Sequence, residues 1–535
     1  MFLDPLVPRP VYGNVVVTAV RAGSCVALVL LVLHAIGRTD LAPYAAMGCF
    51  TALYARDDTY ARRARLLAVV AAVLTLAVAL GGLASAVVGH PPAAIAVVAV
   101  VASGAKYLSD ALSFGAPAGL MFGFAAGVAA YAPQTLADVP EEVAVAALAG
   151  ALCWVAAMVG VLVHPTAPER LVVARALRAV ARHLREPDPA ALAAAETAVH
   201  HAWRVLGGVR RRREAHQGLE VLLARAEGLL AGTGGRVGDG RAAAELGEVA
   251  RRLRRERTVD PLVGEREHAV LAAYVERVRG RCGSSPGVGG RLRGALRRPS
   301  PTPVTMVRIA LACVAAGVLA WVLGIGHGYW AAVSAAAVLQ AVNVTTTWHR
   351  TLQRALGTVV GVLVAVVLFS FDYSPLGIIA LVVVCQMGAE LVVGTNYSYA
   401  MVFVTPLTVA LSSLNNPGVG GYALAAERLG ATVLGAVVGV VVCVVVSNRR
   451  AGRHLRQALD ACERVCDQVE AEGGYSAARH RLAHRLVEVE RAHALALGEP
   501  WVARPGVEEV ERVRRRARAL LDRSRPGVEE RVTAA

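Results

Sequence analysis

A chain of 535 residues that is 56% hydrophobic and only 18% charged is too apolar for a soluble globular protein, which carries about 25% charge. The apolar residues come in blocks, so the composition describes a polytopic membrane protein with soluble parts. The net charge of +16 comes mostly from arginines that flank those blocks, and positive-inside topology accounts for them without a nucleic-acid partner.

In chain order, the first six apolar blocks cover residues 15–37, 41–55, 66–88, 93–112, 116–131 and 143–163. A basic turn at 56–65 holds Arg56, Arg62, Arg63 and Arg65. An acidic loop before the sixth block holds Asp138, Glu141 and Glu142. Residues 164–303 are different in kind. Helix-periodic segments rich in Arg, Glu and Ala are broken by Pro187-Asp188-Pro189 and by glycine-rich stretches at 232–240 and 283–290. This pattern predicts a helical domain of about five helices, closed by a basic, proline-rich linker at 291–303. The run Arg210–Arg213 is short and has no interleaved aromatics, as expected of a solvated helix face. Six more blocks follow at 304–325, 330–344, 355–371, 376–393, 397–411 and 428–447. After them the chain is again Arg-rich and helix-periodic.

The expected fold is therefore all-α and polytopic: two six-helix membrane halves (1–163 and 304–447) and two helical domains (164–303 and 448–535). An even number of spans between Arg-rich segments places both termini and both helical domains in the cytoplasm of a bacterial cell, with the chain multi-pass in the plasma membrane. The region 1–10 has no basic stretch ahead of a short apolar core, so no cleavable signal is expected. Six cysteines (Cys25, Cys49, Cys153, Cys313, Cys385 and Cys443) fall in apolar blocks as small hydrophobes. Cys462 and Cys466 are too few ligands for a metal site. No Walker A loop, HExxH or GxSxG occurs, so neither an enzyme nor a cofactor is expected.

The halves share internal spacings. Arg21 and Arg63 are 42 residues apart, as are Arg308 and Arg350; Pro91 to Lys106 is 15 residues, as is Pro375 to Glu390. These spacings suggest two parallel copies of one six-helix unit, an arrangement that places substrate sites at the repeat interface.

The stretch from His327 to Phe369 reads as a membrane helix opened by Tyr329 and Trp330 at the membrane–water boundary, a basic turn, and a second helix beginning at Gly357. Tyr-Trp, an apolar helix, then Arg350, Arg354, Gly357, Thr358 and Gly361 resembles the fusaric-acid-resistance family of membrane transporters, also called aromatic acid exporters. Two later stretches are similar to further motifs of that family: Tyr399 to Leu407, with Thr405-Pro406, and Glu427-Arg428 to Gly435. The resemblance covers roughly residues 300–450. It implies secondary-active, proton-coupled export of aromatic or amphipathic organic acids. Partners would be the substrate, membrane lipid and a second copy of the chain. Rival readings are a passive organic-anion channel and a membrane-anchored scaffold whose helical domain binds a partner.

Candidate residues for the pathway are ionisable or helix-breaking groups within blocks, since charge in a span is costly and usually functional. Lys106, the only lysine, is either an anion- or proton-sensitive site or the partner of Asp110 one turn on. Glu390, with Gln386 one turn before it, is either a proton carrier or a structural partner for Lys106 or Arg308. The shared spacing predicts that Lys106 and Glu390 approach each other. Arg21 and Arg308 either line the inner mouth or anchor helix ends. Arg350 and Arg354 either steer substrate or set topology. Thr405 and Pro406 either free backbone carbonyls toward a cavity or make a plain kink.

Overall fold

A computed structural model describes residues 15–523, apart from 57, 116, 187, 208–213, 233–239, 256–274, 276–287, 297–299, 326, 327, 342, 416–420, 449, 473, 474, 501 and 504. The run Arg210–Arg213, most of the glycine-rich stretches, His327 and the C-terminal residues from 524 lie outside the described residues. Among the described residues the chain is all-helical.

The first half contains α1 (Val15–Ala35), α2 (Ala42–Cys49), α3 (Tyr60–Val87), α4 (Pro91–Leu112), α5 (Leu120–Tyr131) and α6 (Val139–Val163). An Arg-rich helical bundle follows with α7 (Ala167–Arg185), α8 (Pro189–Gly207), α9 (Glu214–Gly232) and α10 (Gly240–Arg255), and then the short α11 (Val288–Leu296), which packs on α4. The second half holds α12 (Thr302–Val322), α13 (Tyr329–Val338), α14 (Val344–Leu368), α15 (Pro375–Val392), α16 (Tyr397–Asn415) and α17 (Gly421–Val445). The chain ends in α18 (Ala451–Glu472), α19 (Tyr475–Leu497) and α20 (Val507–Arg523). Nine of the described helices are long and apolar enough to cross a membrane, so the protein is a polytopic all-α membrane protein.

Helix starts follow local chemistry. Thr59 caps α3 by accepting from the Arg62 amide, and Ser374 caps α15 ahead of Pro375. Asn343 and Thr346 form a reciprocal capping box at the start of α14. That cap changes the sequence reading. The helix begins ahead of the expected basic turn and absorbs it, so Trp348, His349, Arg350 and Arg354 all lie on α14. The eighth span shortens in turn: α13 stops at Val338, and every one of its residues is buried. Tyr329 and Trp330 therefore sit in the protein interior rather than at the membrane boundary, with Tyr329 against Tyr131 and Phe124. Glu141 and Glu142 occupy the first turn of α6, where negative charge suits the helix dipole, and not a loop. Part of the expected linker is the helix α11, whose Leu292 carbonyl accepts from the Tyr107 hydroxyl of α4.

Packing in the membrane region follows one scheme in both halves. α3 packs on α5 and α6, and α14 on α16 and α17; α2 packs on α6, and α13 on α17. The halves meet along two main seams, α1 on α15 and α4 on α12, and α13 also packs on α5. Gly357 and Gly361, four residues apart on α14, sit at a close helix approach. A Cβ on Gly357 would meet the Ser398 carbonyl, and one on Gly361 would stand 2.8 Å from Thr405, so α14 and α16 touch backbone to backbone.

The soluble helices form two separate cores, one on α7–α10 and one on α18–α20. Cys462 and Cys466 are fully buried in the second. Both bundles sit at one end of the membrane region. Arg204 of α8 lies near Arg62 and Asp58, while the turn after α19 reaches the start of α14, where Asn343 donates to the Ala494 carbonyl at 2.9 Å. The His200 and His484 rings, 5.7 Å apart, connect the two bundles.

Candidate functional site

Among the described residues, three groups of charged residues lie within the membrane region besides the Arg308–Glu499 pair, and each is positioned by a different packing contact. The first lies on the α4–α12 seam. Lys106 is buried and ion-paired to Asp110 one turn on, at 2.7 Å. The second Asp110 oxygen accepts from the Thr302 hydroxyl of α12 at 3.0 Å. The helical i,i+4 spacing makes the pair, and the seam completes it.

The second group lies on the α1–α15 seam. Glu390 of α15 is buried, and its carboxylate is paired at 2.7 Å with Arg56 from the segment before α3. Arg21 of α1 lies close to both, and its guanidinium donates to the Ala52 carbonyl at 3.4 Å. Gln386 is buried one turn before Glu390. Lys106 and Glu390 thus have different partners on different seams and do not pair with each other. The expected approach fails because α4 packs on α12 and α15 on α1, so each charge faces a different seam.

Arg308 is one of two expected mouth residues, and the structure gives it a partner from a soluble domain. Its guanidinium makes a two-pronged bond to Glu499, at 2.9 and 2.8 Å, and its Nε donates to the Val446 carbonyl at 2.7 Å. The pair is 2% and 0% exposed. Glu499 also accepts from the Asn448 amide at 3.0 Å.

The third group lies inside the second half and was only partly foreseen. Because α14 starts early, Arg354 falls in the bundle interior instead of on a turn. It donates to the Tyr397 hydroxyl of α16 at 2.7 Å and the Ser334 hydroxyl of α13 at 3.0 Å. Arg350, nearer the helix start, lies 5.8 Å from the Tyr397 ring centre. Arg428 of α17 is also buried, its guanidinium 5.1 Å from the centre of the Trp330 ring and close enough to Arg354 to repel it. Arg428 was visible in the sequence as a motif residue at the start of the last apolar block; α17 begins earlier, at Gly421, and so carries Arg428 into the interior.

Thr405 and Pro406 lie within an unbroken α16. The Thr405 hydroxyl bonds the Met401 carbonyl at 2.9 Å, and Thr408 bonds the Thr405 carbonyl at 2.9 Å. Side chains thus meet carbonyls around the proline, and Thr405 packs on Gly361. Glu499 is a buried acid that the sequence did not single out, and Glu142, expected in an exposed acidic loop, is buried facing the Tyr44 hydroxyl of α2.

Residues 313–442 match the family described as "Fusaric acid resistance protein-like". The match spans the second part of α12, α13 to α16 and most of α17, and so includes Arg354, Glu390 and Arg428. The chain is also 24% identical over 514 residues to a Bacillus subtilis (strain 168) protein described as "Uncharacterized membrane protein YvaC", covering 90% of this chain and 81% of that one. No solved structure matches.

Proposed function

From the premise that residues 313–442 are a fusaric acid resistance protein-like region within a polytopic membrane protein, we propose that the chain exports small organic acids. The observation that supports this reading is the Arg56–Glu390 ion pair. It joins a buried carboxylate of one half to a part-exposed arginine of the other, and the contact between halves is where a transporter of two packed units opens and closes. On the other seam the Asp110–Thr302 bond does the same with weaker chemistry.

In this reading the halves part at the end that bears the soluble domains, and that end faces the cytoplasm because its flanks are Arg-rich. Separation of α1 from α15 breaks Arg56–Glu390 and exposes Arg21 to an incoming anion. Protonation of Glu390 weakens its hold on Arg56 and favours the parted state, so the proton gradient couples to the cycle through this carboxylate. An anion leaving a cell is already driven by the membrane potential. Coupling serves to hold a large outward gradient of substrate.

The test is flux of a panel of aromatic acids in proteoliposomes, with and without an imposed pH gradient. Transport that follows the gradient supports proton-coupled export. Flux that ignores it and carries steady current assigns the protein as a channel. No flux with any acid leaves the scaffold reading.

A further inference from the structure

We propose that Arg354 and Arg428, with Ser334, Thr358, Tyr397 and Thr432, form the carboxylate-binding site of the second half, and that an organic acid supplies the missing counter-charge. The inference rests on the transport reading above and adds where the acid's carboxylate binds.

The argument begins with charge. Arg354 and Arg428 are each 3% exposed, and no carboxylate among the described residues is ion-paired to either. Their neighbours are neutral: the Tyr397 and Ser334 hydroxyls, the Met401 sulfur at 3.7 Å and the Trp330 ring. Burying one ion costs several kcal/mol, and proteins normally offset that by pairing it. Arg308, equally buried, does so through Glu499. Two adjacent buried cations without an anion are therefore the exception within this one bundle.

Hydrogen-bonding capacity points the same way. Among the described residues, Nε of Arg354, Nε of Arg428 and the hydroxyls of Thr358 and Thr432 have no partner. Thr358 is one turn beyond Arg354 on α14, and Thr432 one turn beyond Arg428 on α17, and those helices pack together. Each arginine thus has a hydroxyl beside it on the same helix face. A guanidinium edge and a hydroxyl are the donors a planar carboxylate accepts, and guanidinium suits that shape better than ammonium does. The Trp330 ring lies against Arg428, and Tyr397 meets Arg354 through its hydroxyl, so an aromatic body bound to the two cations would have aromatic neighbours.

The test uses purified full-length protein in detergent, with benzoate as the probe and cyclohexanecarboxylate as its non-aromatic counterpart. Wild type is expected to bind benzoate saturably and to melt at higher temperature as benzoate is added. Arg354→Gln and Arg428→Gln should each weaken binding at least tenfold. Arg428→Gln should also melt above wild type without ligand, because it removes an uncompensated buried charge. Arg428→Lys should keep the charge and recover only part of the affinity. Wild type that binds neither acid, variants that bind as wild type does, or an Arg428→Gln protein that melts lower yet binds normally would each overturn the site. Binding that is lost in the variants while wild type shows no flux in liposomes would sink the transport reading and leave the site standing.

Discussion

Replacing Glu499 with Gln isolates what holds the C-terminal bundle to the membrane region. Glu499 accepts both Arg308 prongs and the Asn448 amide, in a place where neither side chain meets solvent. Removing one charge of a buried pair costs about 3–5 kcal/mol, because the other stays buried and uncompensated. Gln retains an acceptor oxygen, so the lower figure applies. At ~1.4 kcal/mol per tenfold, about 3 kcal/mol favours the undocked state by roughly a hundredfold. The read-out is amide hydrogen exchange at Thr345 and Asn448, whose N–H groups are held by Gly498 and Glu499 across this contact. Exchange there should rise by about that factor in E499Q, with the α18–α20 core unchanged. The double change Arg308→Met with Glu499→Leu should stay near wild type, since an apolar pair of similar volume replaces a buried ion pair at little cost. Wild-type exchange in E499Q, or a double variant as open as the single one, would refute the claim that this pair carries the docking.

Efflux of a confirmed substrate by Glu390→Gln across external pH 5.5 to 8 should lose the wild-type pH dependence; an unchanged profile would remove the proton from Glu390. Gly435→Val should cost about 1–3 kcal/mol or more through overpacking, read as a lowered melting temperature, because a Cβ at Gly435 already meets the Ala331 carbonyl of α13. Topology is testable with single cysteines: His90→Cys should label from outside intact cells and Arg251→Cys should not, with the reverse pattern overturning the orientation. Burial holds His454 below its ordinary value of 6.5, against a smaller opposing pull from Glu488. The unfolded chain therefore takes up the proton first. Stability of the C-terminal bundle should be full above about 6.5 and fall as pH drops below it, a slope that His454→Gln should flatten.

The sequence carried the coarse plan well. Blocks of apolar residues, Arg-rich flanks and the Gly357–Gly361 spacing led to a polytopic helical protein with a tight α14–α16 contact. The site was less legible, for reasons that particular residues show. Spacing alone put Lys106 and Glu390 at equivalent positions, but equivalence in sequence does not say which seam each faces. Their partners, Asp110 with Thr302 and Arg56, depend on which helix lies opposite. Arg354 looked like part of a turn because the Asn343–Thr346 cap, a pair of small polar residues, is a weak signal beside a cluster of cations. Glu499 was invisible because nothing in a soluble helical tail marks the one carboxylate that will be drawn under a membrane helix 191 residues earlier in the chain.

The shortness of α13 has a consequence for how the protein is made. Its ten residues span about 15 Å, half the hydrocarbon thickness, and each is enclosed by other helices. A segment of that length cannot be released sideways into lipid as it leaves the ribosome. Its main covering helix besides α12 is α17, which is synthesised only after three further helices. The contacts that enclose α13 are therefore complete only once the last span has been made. Chains cut short before Gly421 should leave α13 outside the bilayer altogether, and the order of translation becomes part of the information that builds the site.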